Sequence, residues 1–146
     1  MITTGSYILL ISLAIDKRIQ IGKLGEFDFA KGYYLYSGSA LGGLQARIKR
    51  HLAPEKKLHW HIDFLLINAK VEEIWVTYSN ERLECELARV CMAMPEATVP
   101  VKGFGSSDCR CFSHLVHFTR KLDLTSFEDV VRDGITLERL SVIYRR

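Results

Sequence analysis

The stretch Lys31–His51, KGYYLYSGSALGGLQARIKRH, leaves little freedom in local structure. Tyr33–Ser37 is short and rich in aromatic residues, which favours a strand. Gly38-Ser39-Ala40-Leu41-Gly42-Gly43 has the backbone freedom for a tight turn. From Leu44 the apolar period becomes helical, with Leu44, Ile48 and Leu52 on one face. Arg47 and His51 are four apart, hence neighbours at the margin of that face. Each can anchor its stem in a core and still reach a cleft. A strand carrying phenols and a helix carrying a guanidinium and an imidazole suit a phosphate ester, because the planar fork of an arginine matches two phosphoryl oxygens.

The rest of the chain is read around that unit. Ser6–Leu13 is apolar on both faces, as in a central strand covered on both sides. Asp16-Lys17 reads as a turn, after which Arg18–Gly22 is expected to pair back as a hairpin, and Lys23–Ala30 reads as a surface connection. Pro54 marks the exit from the Leu44 helix. Leu58–Ile67 reads as a short helix with Trp60, Phe64 and Ile67 inward, and Val71–Tyr78 as a strand. Asn80 is the expected N-cap of a helix over Glu81–Met94, whose buried stripe would be Leu83, Leu87, Val90, Cys91 and Met94. Cys109–Phe118 ends in strand-like alternation, and the tail from Arg120 reads as a short helix near Ser126–Arg132 and a last apolar segment.

Three short matches now fall in order: Gly5-x-Tyr7 on the first strand, Tyr36-x-Gly38 on a later one, and Leu44-x-x-Arg47-x-x-x-His51 on the helix. In this the chain resembles the GIY-YIG nuclease superfamily, and within it the Uri-type endonuclease branch, whose similarity extends into GFGSSDCRCFSHL and so covers residues 5–118. The middle residues Ser6 and Ser37 depart from the namesake segments, and the turn is one residue longer than the usual pattern. The resemblance implies a mixed α/β (α+β) fold: a central three-stranded antiparallel sheet flanked by helices. It implies a nuclease domain over residues 1–119 and a C-terminal extension over 120–146, packed on the same domain. It further implies hydrolysis of DNA phosphodiester bonds with one Mg²⁺ or Mn²⁺ ion.

Each role has a chemical reason. Tyr7 and Tyr36 are the candidates for orienting or deprotonating the water; a phenol titrates near about 10, so a nearby cation must favour its ionisation. Arg47 suits the scissile phosphate, and His51 an adjacent proton or phosphate. The resemblance calls for one glutamate from the following helix. Glu84 stands three residues before Leu87 as that pattern requires, with Glu86 in reserve. Lys49 and Arg50, with Gly38 and Ser39 at the turn, are expected to meet the nucleic-acid backbone. Either His59 or His61 could supply the second histidine found in superfamily members, and Asp108 an extra metal ligand. Cys109-x-Cys111 followed by His114 has zinc-type donors, but the tight pair and an assumed strand, which would turn His114 to the opposite face, argue against structural zinc.

At 146 residues the chain is expected to be one domain, and a net charge of +3 is compatible with nucleic acid without requiring it. The basic residues Arg47, Lys49, Arg50, Lys56 and Lys57 cluster. The start Met1-Ile2-Thr3-Thr4 lacks the basic segment and cleavage site of a secretion signal. The run Ile8–Ile15 is too short to span a bilayer. A cytoplasmic protein with reduced cysteines and no membrane partner is therefore expected. So small a domain leaves sequence readout to a protein partner, a homodimer or DNA shape. The rival expectation is a nucleic-acid-binding module of the same fold without turnover.

Overall fold

The computed structural model describes residues 3–55, 57–106, 109–124 and 135–140. In chain order the elements are β1 (Gly5–Leu13), β2 (Lys17–Ile21), β3 (Gly25–Phe29), β4 (Gly32–Ala40), α1 (Leu44–Leu52), α2 (His61–Leu66), β5 (Lys70–Tyr78), α3 (Glu84–Met92), β6 (Leu115–Phe118) and β7 (Glu138–Leu140). The main sheet is antiparallel with order β6-β4-β1-β5-β7. The mixed α/β class holds. The expected three strands, β4-β1-β5, form the centre, and β6 and β7 widen the sheet to five.

β1 is central for the reason its sequence gives. Tyr7, Leu9 and Ile11 enter one core cluster with residues of α1 and α2, while Ile8 and Leu10 enter a second with Trp75, Leu87 and Cys91. Alternating side chains thus feed two cores from one strand. At Gly5 the backbone of β5 lies close: a Cβ there would stand 2.5 Å from the Thr77 carbonyl oxygen. Only glycine fits that approach.

Several expectations are corrected. The hairpin after Asp16 does not pair with β1. β2 pairs with β3, inside the supposed connection, as a separate two-stranded sheet. β4 runs on through Gly38 and Ala40, so the turn shrinks to residues 41–43, and Gly43 at φ 140° begins α1. α2 starts later. Ile62, Asp63, Leu65 and Leu66 are buried, Trp60 and Phe64 pack partly buried against the first core as expected, and Ile67 is 53% exposed. The later start is due to Asp63, whose carboxylate takes the backbone N–H groups of His59 and Trp60 and so fixes where the helix begins.

α3 is shorter than expected at both ends, and Asn80 is not its cap; its side chain accepts from the Thr4 hydroxyl. Cys109–His114 is irregular, and only Leu115–Phe118 is strand, paired with β4. This removes the strand argument that set His114 apart from the cysteines. In the C-terminal segment Leu124 and Leu137 are buried in the second core and β7 pairs with β5. The helix expected near 126–132 lies outside the described residues, as do Lys56, Ser107 and Asp108. Among the described residues no helix is long and apolar enough to cross a membrane.

Candidate active site

One polar cleft of about 400 Å³ is lined by Tyr7 from β1, Tyr36, Gly38 and Ser39 from β4, Arg47 and His51 from α1, and Glu84 from α3. His59, Trp60 and His61 close another side, with Arg82 and Gly105. The five residues expected to carry chemistry therefore meet in one place. A larger groove of about 640 Å³, between α1 and the end of β5, has Lys49 as its one charged lining residue and no acid–base set among the described residues.

Cross-strand register explains the centre of the cleft. Tyr7 stands opposite Gly38 in the β1–β4 ladder. A Cβ on Gly38 would fall 2.5 Å from Tyr7 Oη, so the glycine makes room for the phenol. Tyr7 Oη lies 2.7 Å from His51 Nε2, both side chains being buried. Burial pushes the Tyr7 phenol up to about 12, with the Arg47 charge and hydrogen bond pulling the other way. Tyr36 is also held well above the ordinary phenol range, by burial and by the negative charge that Tyr7 and Glu84 would present. Of the two phenols, Tyr7 has the nearer cationic support.

Ser6 and Ser39 are opposite one another in the same ladder, and their hydroxyls lie 2.7 Å apart. Ser6 Oγ accepts the Leu83 N–H at 3.0 Å and Ser39 Oγ the Glu84 N–H at 3.3 Å. The start of α3, and with it Glu84, is thus capped from the sheet. The Ser39 carbonyl accepts from Arg47 Nη1 at 3.0 Å. Ser39, expected to meet nucleic acid, is a positioning residue for both Arg47 and Glu84. The Glu84 side chain is 12% exposed and pairs with Arg82 at 2.5 Å. Glu86 does not line the cleft and pairs with Arg89.

The expected basic surface divides. Arg50 gives both arms of its fork to Asp63, each at 2.7 Å, and also donates to the Lys57 carbonyl. Burial alone would raise the Asp63 carboxyl, but Arg50 and the two backbone N–H groups hold it below the usual carboxylate range. Arg47 and Arg50 both lie over the Trp60 ring, at 4.2 and 4.0 Å from its centre. Arg50 therefore anchors the wall of the cleft, and Lys49 opens on the apolar groove. His61 Nδ1 accepts the Gly105 N–H at 2.8 Å, which places the proton of the neutral ring on Nε2; burial lowers its affinity for a second proton. His59 is exposed and stacks edge-on against Trp60.

The family described as Domain of unknown function DUF123 matches residues 6–135. The chain belongs to that family. No curated protein and no solved structure matches it. The DUF123 match runs across the boundary expected at residue 119.

Two features of this DUF123 chain escaped sequence reasoning. Arg82 reaches the cleft from the loop before α3, where no periodic pattern marks it. Cys85, on the first turn of α3, joins Cys109, Cys111 and His114, with all four donor atoms within 4.8 Å of one another. The signal was present as a Cys-x-Cys and a histidine, but the fourth member lies far away in sequence. Burial and the crowding of neighbouring thiols raise Cys85 and Cys111 above the ordinary thiol range.

Proposed function

We propose that this protein is a divalent-metal-dependent DNA endonuclease of the GIY-YIG kind. The observation that carries the reading is the convergence of Tyr7, Tyr36, Arg47, His51 and Glu84 on one polar cleft from four separate elements. A binding surface for the phosphate backbone needs only positive charge, whereas this cleft also holds paired phenols, an imidazole and a carboxylate.

The chemistry follows from the contacts. With its ring proton on Nδ1, His51 accepts the Tyr7 O–H through Nε2, across 2.7 Å. A water attacking phosphorus gives its proton to Tyr7 Oη while the Tyr7 proton passes to His51 Nε2. The pair then serves as base without a resting phenolate, which burial disfavours. Tyr36 orients the water. Arg47, braced by the Ser39 carbonyl and the Trp60 ring, neutralises charge growing on the phosphoryl oxygens. The donor set at Glu84, one carboxylate opening on a polar cleft, fits a hard cation that keeps most of its waters. Mg²⁺ or Mn²⁺ held there would supply positive charge for the departing oxygen, and Arg82 neutralises Glu84 until a cation takes its place.

The test is nicking of supercoiled and branched DNA with Mg²⁺ or Mn²⁺ by the parent, Arg47→Ala, Glu84→Ala and Tyr7→Phe. Cleavage should fall by about 10²–10³-fold in Arg47→Ala. Glu84→Ala should bind DNA normally and not cut. Salt-sensitive binding with no cleavage by the parent would instead favour the non-catalytic module. Full activity of Glu84→Ala would remove that residue as the ligand.

A further inference from the structure

We propose that Cys85, Cys109, Cys111 and His114 hold one zinc ion in a closed structural site that ties the loop before β6 to the first turn of α3. Tetrahedral zinc with sulfur ligands at about 2.3 Å and nitrogen at about 2.05 Å sets neighbouring S and N atoms about 3.5 Å apart. His114 Nε2 stands 3.4 Å from Cys109 Sγ and 3.6 Å from Cys85 Sγ. All four donors lie within 4.8 Å of one another, so one ion can touch each after small side-chain adjustments. Three thiolates and an imidazole in tetrahedral array are the donor set of zinc among common divalent ions. The hard cation proposed at Glu84 prefers oxygen, so the two sites select different metals.

The surroundings give the ion a structural task. The segment 99–106 contains Gly103 and Gly105 at positive φ and packs inward through Val101 and Phe104. His114 is 2% exposed and its backbone is fixed at both ends: its N–H donates to the Phe104 carbonyl, and its own carbonyl accepts from Ser37 on β4. Cys109 N–H donates to the Ser106 carbonyl. These bonds hold two of the four ligand residues in place before any metal binds, while Cys85 is set by the capped start of α3. Four protein ligands leave no open position for substrate, so the ion acts on shape. The same loop carries Gly105, which donates to His61 and sits against Tyr36, where a Cβ would lie 3.0 Å from Cε1. Zinc thereby fixes one wall of the cleft. This assignment does not depend on the nuclease reading.

The experiment measures metal in the full chain purified under reducing conditions, by elemental analysis and zinc-edge X-ray absorption. One zinc per chain, with a shell of three sulfurs and one nitrogen, is expected, falling to near none in Cys85→Ser and in Cys111→Ser. Cobalt substitution of the parent gives an independent readout, the intense visible absorption of tetrahedral thiolate-bound Co²⁺. It decides the matter even if the serine variants fail to fold. A folded parent without zinc, a shell of oxygen and nitrogen alone, or a disulfide among Cys85, Cys109 and Cys111 accompanied by loss of two hydrogens in mass would each overturn the proposal.

Discussion

Gly38→Ala isolates the packing that builds the cleft. The added methyl would stand 2.5 Å from Tyr7 Oη and 2.6 Å from Tyr7 Cζ, against about 3.5 Å for an unstrained contact. Something must move by about 1 Å. Tyr7 is 0% exposed, in the strand at the centre of the sheet, and its hydroxyl is held by His51, so moving the ring away from residue 38 disturbs its packing and that bond. Overpacking of this kind costs about 1–3 kcal/mol. Losing the Tyr7–His51 hydrogen bond adds about 0.5–1.5 kcal/mol. The expected loss is therefore about 2–4 kcal/mol, a fall in Tm of roughly 5–15 °C. Urea unfolding of the parent, Gly38→Ala, Tyr7→Leu and the double variant measures it. Leucine lacks both clashing atoms, so the alanine should cost far less in that background, giving a coupling of about 2–3 kcal/mol. Additivity within about 0.5 kcal/mol would refute the claim that Gly38 is glycine to admit the Tyr7 phenol.

Asp63→Ala should destabilise by about 3–5 kcal/mol in the same assay, since it strands the Arg50 fork and two backbone N–H groups. Because the folded carboxyl titrates below its unfolded value, its contribution is complete above the unfolded pKa of about 4 and fades as pH falls through the folded value. Asp63→Asn should accordingly flatten the acid limb of the stability curve, and an unchanged limb would contradict this. Ser39→Ala removes the hydroxyl that caps α3 at Glu84 and should cost about 1 kcal/mol. Ser39→Thr should restore both stability and metal-dependent nicking; equal loss in both variants would mean the hydroxyl is not the cap.

Some of this was legible because it is local. The doubly apolar Ser6–Leu13 could only be a central strand, and the change of period at Leu44 could only be a helix start. The motif resemblance picked out Tyr7, Tyr36, Gly38, Arg47 and His51, which share one cleft, and Gly5, which serves strand contact, but left Glu84 with Glu86 in reserve. Misreadings fell where a long-range contact overrode local preference. A buried carboxylate at Asp63 fixed the start of α2, and of the expected inward residues Trp60 and Phe64 pack against the core while Ile67 does not. Hydroxyls from two strands capped α3, which displaced Asn80 from that task.

The sequence by itself determined the central strand and the strand-to-helix unit, because periodicity and turn chemistry act between near neighbours, while the class of fold and the set of cleft residues followed from its motif resemblance. Only the tertiary structure decided which glutamate faces the cleft, that Arg50 braces Asp63, and that Cys85 joins Cys109, Cys111 and His114. Those outcomes depend on register and on the packing of α3 against β4 and β1, which bring together side chains with no neighbour relation along the chain.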